Sequence, residues 1–268
     1  MAEYHNLYQR AIYYDIVFDR DVSREVDFIT AAYRHYTGTA ARSVLDIACG
    51  PGYHAREFAR RGMHAVGLDL RPEMVQLARE KDATESLAID WVTADMRFFK
   101  LDTPVDVAIT MFDGIDALTT NDDFVQHLRA VANNLTDRGL YVIDFLHPRA
   151  CHSSDYGSFR YAGERNGTRV DILWGANRPR LDCLTGVADV EVEMHVTANG
   201  VETVIHDSSR ERILIPQEIL LLAELSGSFK VVGWYGDFDL ERPLDDSPAS
   251  CRMVVVLQKQ AQAPVLLG

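Results

Sequence analysis

A chain of 268 residues has room for one α/β domain of ordinary size plus an embellishment, and its 47% hydrophobic and 25% charged content allows a substantial core. The net charge of −13, from 40 acidic against 27 basic residues, repels polyphosphate, and no Lys/Arg run offsets it locally, so nucleic acid is disfavoured as a partner. No apolar run approaches the roughly 20 residues that span a bilayer, and the opening MAEYHNLYQRAIYYD lacks the apolar stretch of a secretory signal, so a cytoplasmic protein with no membrane partner is expected.

From about Asn6 to His35 the chain carries Tyr4, Tyr8, Tyr13, Tyr14, Phe18 and Phe28 at spacings that suit helices, before Thr37-Gly38-Thr39 breaks the pattern. These helices are expected to pack on, or lid, the domain formed by the rest of the chain. SVLDIA (43–48) reads as a buried strand that runs into a Gly/Pro turn. His54 to Arg61 reads as a helix stopped by Gly62. HAVGLDL (64–70) is the next strand, and Pro72 opens a helix to about Lys81. IDWVTAD (89–95) and VDVAITM (105–111) are further strands. Asn121 or Asp122 is expected to cap the helix FVQHLRAVANNL, and Gly139 to end it before the strand LYVIDFL (140–146). Apolar strands alternating with amphipathic helices indicate a parallel sheet covered on both faces.

After Pro148 the pattern turns to alternating β-prone stretches, RVDILW, VADVEVEMHV and ETVIHD, with a hairpin signal at Asn199-Gly200. This region reads as an inserted antiparallel sheet. Pro216 then opens a helix to about Ala223, and FKVVGWYG (229–236) and RMVVVLQ (252–258) supply the last two strands of the main sheet. The division expected is residues 1–38 as a helical lid, 39–150 with 213–260 as the core, and 151–212 as the insert. Cys49, Cys151, Cys183 and Cys251 form no CxxC pair or metal-finger spacing and are expected as reduced, mostly buried thiols.

VLDIACGPGYHAREFARRG (44–62) holds the strongest chemical signal. Gly50 and Gly52 let the backbone approach a ligand closely, as in dinucleotide loops, although Ala55 stands where that fingerprint has its third Gly. Asp46 separates the possibilities, because a pyrophosphate avoids an anion whereas a sulfonium or ammonium is drawn to one. Asp69, ending the second strand, can accept both hydroxyls of a ribose. Asp95 can accept the amine of an adenine while Met96 packs on its ring. The set favours S-adenosylmethionine over NAD.

VLDIACGPG, VGLDL, ADMRFF and VDVAITMFDGIDAL together resemble the successive motifs of class I S-adenosylmethionine-dependent methyltransferases over most of residues 40–147. The late β insert is similar to that of small-molecule N-methyltransferases of the amino-sugar or glycine type. The resemblance implies a Rossmann-like, mostly parallel sheet of seven strands with helices on both faces, an N-terminal helical lid and an inserted antiparallel sheet. It implies that Asp46, Ala48, Cys49, Gly50 and Gly52 form the methionine-binding loop. Asp69 and Leu70 would sit at the ribose, Asp95 and Met96 at the adenine, and Met111 and Phe112 at the methionine portion. Ala48 stands where many members have the first Gly of the loop. S-Adenosylmethionine is then the cofactor and S-adenosylhomocysteine the product, with a small molecule as substrate and room for a homodimer.

Methyl transfer needs alignment, exclusion of water and, for a protonated acceptor, removal of a proton. Asp113 or Asp116, after the fourth strand, can bind a substrate ammonium, although Asp116 also suits a helix cap. His147, after the fifth strand, is the candidate general base, or a histidine that hydrogen-bonds a loop carbonyl. Tyr13 or Tyr14 can place a lid hydroxyl over the sulfonium. The missing Pro-Pro-aromatic turn after strand four argues against a flipped base as substrate. Asp113, Asp116 and Asp144 are carboxylates that a metal-dependent O-methylation would use, and no metal is expected. The alternatives are aminocarboxypropyl transfer or cyclisation of the same sulfonium, an NAD-dependent oxidoreductase, and a non-catalytic scaffold. The expected activity is methyl transfer to nitrogen, or oxygen, of a small metabolite.

Overall fold

A computed structural model describes residues 10–147 and 156–260; Tyr4, Tyr8, Pro148 and Cys151 lie outside the described residues. Two helices come first, α1 (Ala11–Phe18) and α2 (Ser23–Thr37). Strands and helices then alternate: β1 (Ser43–Ile47), α3 (Tyr53–Arg60), β2 (His64–Asp69), α4 (Pro72–Glu85), β3 (Ile89–Thr93), β4 (Val105–Thr110), α5 (Asn121–Asn133) and β5 (Leu135–Leu146). Four antiparallel strands come next, β6 (Phe159–Arg165), β7 (Thr168–Trp174), β8 (Val187–Ala198) and β9 (Val201–Arg212). The chain then returns through α6 (Pro216–Ser226) to β10 (Phe229–Tyr235) and β11 (Arg252–Lys259).

The main sheet has seven strands in the order β10-β11-β5-β4-β1-β2-β3, all parallel except β11, which runs antiparallel to both neighbours. Burial on two faces explains its composition: every residue of β4 is buried, and β11 presents Met253 to Leu257 as one continuous buried run. One face packs on α5 and α6 through Phe124, Leu128, Ile219 and Leu222. The other packs on α2 and α3 through Val26, Phe28, Ile29 and Phe58. Strand order reverses between β1 and β4, which opens a crevice at their carboxyl ends.

In the four-stranded sheet, alternate residues such as Val190, Val192, Met194 and Val196 turn to one buried face. Its hairpins turn at Asn166-Gly167 and Asn199-Gly200, with φ of 52° and 74°, then 51° and 75°. Both residues of each pair are left-handed, the geometry of a type I′ turn. The pattern of the sequence marks only the second hairpin, although the first carries the same dipeptide. Helix α1 lies on this sheet rather than on the main one, with Phe18 in the same apolar cluster as Val170 and Ile172. The approach is close at Gly163 of β6, where a Cβ would stand 2.3 Å from the Ile16 carbonyl oxygen.

Several boundaries differ from expectation. The cap of α5 is Thr120, whose hydroxyl accepts from the Asp123 amide at 3.1 Å, because a β-branched residue in the extended region leaves its oxygen facing the open amides. β5 begins at Leu135, ahead of Gly139, with a register shift opposite Val105 to Val107 that absorbs the turn-like residues. Helix α4 continues to Glu85, because Glu85 is drawn into ion pairs with Arg56 and Arg60 of α3. Cys49 is buried as expected, but Cys183 and Cys251 are exposed because both sit in connecting segments. No helix among the described residues is long and apolar enough to cross a membrane.

Candidate active site

A cavity of ≈ 420 Å³ lies over the crevice between β1 and β4. In the main sheet, the ends of β1, β2 and β3 supply one wall, the main-sheet wall; the ends of β4, β5 and β11, with α1, β6, β7 and β9, supply the other.

On the main-sheet wall, β1 leads into a turn in which Ala48, Gly50 and Gly52 all have positive φ, at 56°, 52° and 77°. Gly52 is required twice over, since a Cβ there would also meet the Trp91 ring at 2.2 Å. Ala48 takes the left-handed conformation despite its Cβ, and that methyl lies 3.1 Å from where a Cβ on Gly114 would be. The loop is tied down by the Cys49 amide donating to the Leu68 carbonyl at 3.0 Å. Asp46, only 2% exposed, accepts from the Ala55 amide at 3.1 Å, and burial pushes its carboxyl up to about 7.

Asp69 accepts the Gly50 and Arg71 amides, one on each oxygen, both at 2.8 Å. Each oxygen keeps a further lone pair for a diol. Leu70 stands half exposed beside it at the cavity wall. Asp95 is more heavily engaged. It takes the Arg97 amide at 2.9 Å and the Arg97 guanidinium at 2.7 to 3.2 Å, and Arg97 reaches on to Asp123 at 2.5 Å. The hydrogen bonds from Arg97 hold the Asp95 carboxyl below its usual range. An amine arriving at Asp95 therefore meets a carboxylate already ion-paired. Met96 also lines the cavity, and its carbonyl oxygen lies 2.9 Å from Nδ1 of His127.

The opposite wall begins where β4 ends. Phe112 and Asp113 both have positive φ, at 52° and 64°. Asp144 holds this bend by accepting the Phe112 amide on its carboxylate at 3.0 Å and the Asp113 amide on its carbonyl at 3.3 Å. Arg252, the first residue of β11, bridges Asp144 at 2.8 and 3.2 Å and Asp113 at 3.0 and 3.1 Å. Its guanidinium carbon lies 5.7 Å from the centre of the Phe112 ring. From the auxiliary sheet, Glu211 accepts from Trp174 Nε1 at 3.1 Å, Ser209 Oγ at 2.5 Å and the Tyr156 hydroxyl.

Residues 44–139 match the family described as a methyltransferase domain. A dTDP-3-amino-3,4,6-trideoxy-α-D-glucopyranose N,N-dimethyltransferase of Streptomyces venezuelae is 28% identical over 134 residues, 49% of this chain and 54% of that protein. The chain thus spans about half the length of the curated relatives it matches. An S-adenosylmethionine-dependent methyltransferase of Clostridium acetobutylicum superposes with a TM-score of 0.76 over 94% of this chain and 98% of its own, at 16% identity. A sugar N-methyltransferase of a Streptoalloteichus species superposes with a TM-score of 0.72 over 93% and 92%, at 20% identity. These likenesses establish the class I methyltransferase fold, Rossmann-like sheet and auxiliary sheet included.

The wall over the ends of β1, β2 and β3 brings together the residues expected at a cofactor. Besides Asp46 and Asp69, His54 lines it, and its Nε2 is buried with no hydrogen-bond partner among the described residues. Burial pushes the His54 imidazole down to about 3, so it is neutral and able to donate or accept. Ala48, Cys49, Gly50, Met111, Phe112 and Asp113 line the same cavity, and Gly52 shapes the loop from behind. Tyr14 lines it too, whereas Tyr13 is not among the lining residues and lies under the Arg10 guanidinium, 5.9 Å from ring centre.

His147 stands apart from the other candidates. It is absent from the cavity lining, and its Nε2 lies 3.0 Å from the Asp245 carbonyl oxygen. Leu146 takes the cavity side of the strand end, and the alternation of side chains turns His147 away. The general-base role expected of it has no geometric support. Asp116 lies in a 3₁₀ turn, Gly114–Ala117, and caps no helix; it lines the cavity instead. Asp144 is 1% exposed and its carboxylate serves Arg252 and the Phe112 amide. Arg252, Glu211, His54 and Arg97 escape the sequence reading. Arg252 and Arg97 leave a trace, as charged residues at the edge of an apolar strand and two residues past a strand-end acid.

Proposed function

We propose that this protein transfers a methyl group from S-adenosylmethionine to an amine nitrogen of a small metabolite, with an amino sugar as the substrate class. The observation that carries this reading is the shared cavity: an amide-held acidic wall suited to a cationic cofactor faces a wall of carboxylates and aromatic rings. The relatives' action on amino sugars supports the choice of nitrogen over oxygen. Bound S-adenosylmethionine would supply an activated methyl carbon. Asp46 and His54 would hold its amino-acid end, Asp69 its ribose, and Met96 its adenine. Tyr14 and Phe18 from α1 line the cavity, where they would limit water at the reacting atoms. Asp113, fixed by Arg252, would hold the Phe112 bend at the methionine end of the cofactor.

We place the protein in the cytoplasm, acting on a small molecule and not on nucleic acid, with residues 1–38 as lid, 39–150 and 213–260 as core, and 151–212 as the substrate-facing insert. A homodimer is compatible with this division. Calorimetric titration with S-adenosylmethionine, S-adenosylhomocysteine and NAD tests the reading. Binding of the first two and not of NAD is expected. Asp69→Ala should weaken S-adenosylmethionine about tenfold or more, about 1.4 kcal/mol, through loss of the diol contact. Silence from both sulfur ligands, or unchanged affinity in the variant, would overturn the assignment of this wall.

A further inference from the structure

Most acids on the substrate wall have named partners. Arg252 is taken up by Asp113 and Asp144, and Glu211 accepts from Tyr156, Trp174 and Ser209. Asp116 differs. It is 4% exposed, it lines the cavity, and its carboxylate has no hydrogen bond or ion pair among the described residues. A buried carboxylate in that position needs either a proton or a cation.

Its surroundings suit a cation that displaces the proton. Asp113, Glu211 and Asp144 all act on Asp116 electrostatically, and the opposing charge of Arg252 is already shared by two other carboxylates. Burial, then the charges of Asp113 and Glu211, raise the Asp116 carboxyl well above the usual range. The aromatic rings of Tyr161 and Trp174 line the same space. Rings of this kind offer their faces to ammonium groups and tolerate added methyls, where a carboxylate alone would favour the smaller, better hydrated ion.

From this arrangement we infer that Asp116, backed by Glu211 and the rings of Tyr161 and Trp174, is the seat of the substrate's ammonium group and the residue that selects amines over alcohols. The inference rests on the proposed methyltransferase activity and deepens it. Asp116 comes from the turn after β4 and Glu211 from β9, so the seat exists only where the auxiliary sheet meets the main one.

The test uses the full chain saturated with S-adenosylhomocysteine, which blocks turnover. Free and nucleotide-linked amino sugars are titrated beside the same compounds carrying a hydroxyl in place of the amine. The amine of a pair is expected to bind about tenfold tighter or more than the hydroxyl compound. Asp116→Asn should abolish that preference, and Glu211→Gln should reduce it, both with unchanged affinity for S-adenosylhomocysteine. Equal binding of the two members, binding of neither, or a preference that survives in both variants overturns the seat. The wild-type comparison decides even where a variant does not fold. Failure to bind S-adenosylhomocysteine would instead overturn the methyltransferase reading, whereas binding it without preferring amines overturns the seat alone.

Discussion

On the main-sheet wall the acids are held by backbone amides close by in the chain. Asp46 accepts from Ala55, nine residues on, and Asp69 from Arg71, two residues on, and from Gly50 in the adjoining loop. On the opposite wall the partners are distant side chains. Asp113 and Asp144 meet Arg252 across 139 and 108 residues, and Glu211 meets Tyr156 and Trp174 across 55 and 37. Amides of a strand-turn-helix unit cannot be substituted away, which suits a wall facing the same cofactor in every turnover. Side-chain partners can be exchanged singly, which suits a wall that must match one acceptor.

The strongest way to break this comparison is to remove the guanidinium that organises the second wall. Arg252→Met leaves Asp144, 1% exposed, and Asp113 without their cation. Stripping one partner from a buried ion pair costs about 3–5 kcal/mol, and the denaturation midpoint should fall accordingly. The bend at Phe112 and Asp113, with its two left-handed residues, depends on the same anchor. A midpoint within about 1 kcal/mol of wild type would show that the wall is held by packing instead.

The same contrast explains what the sequence disclosed. The seven-strand sheet, its alternating helices and the acids at the ends of β1, β2 and β3 were legible because each depends on local chemistry: an apolar run, a Gly turn, a carboxylate at a strand end. The second hairpin of the insert was legible from Asn199-Gly200. Glu211 was not, because nothing in SSRERILI tells which of its charges turns inward; that depends on pairing β9 with β8 and closing the sheet over the turn at Asp116. His147 misled for a related reason. Its place after an apolar strand suggested the cavity, but a one-residue step along a strand reverses the side chain's face, and Leu146 took the inward position.

A second test asks whether the two walls are separable. Gly163→Ala would put a methyl where the Ile16 carbonyl oxygen lies 2.3 Å away, and since that atom is backbone, α1 must shift. Overpacking of this kind costs about 1–3 kcal/mol. Amide exchange within Ala11–Phe18 should quicken about tenfold or more, while affinity for S-adenosylmethionine stays within about threefold. An equal loss of cofactor affinity would mean that the lid belongs to the cofactor wall as much as to the substrate wall.

The smallest effect is the sharpest probe of the cofactor wall. Burial raises the Asp46 carboxyl from 3.8 to about 7 in the folded protein. The folded chain then binds this proton more tightly than the unfolded chain does. This group's contribution to stability without ligand is therefore full below pH 3.8 and is lost as pH rises through about 7. Cofactor binding runs the other way, because an ammonium selects the ionised carboxylate. Affinity for S-adenosylmethionine should rise with pH up to about 7, by at most about tenfold per pH unit, and level off above it. Asp69 is raised by burial as well and shares in any slope, so the decisive comparison is Asp46→Asn. That variant should bind more weakly near neutrality, lose the larger part of the slope between about pH 5.5 and 7.5, and lose the matching fall in ligand-free stability. A slope that persists undiminished in Asp46→Asn would assign the titration to Asp69 and leave Asp46 as an anchor for the Ala55 amide, shaping the loop without meeting the cofactor's charge.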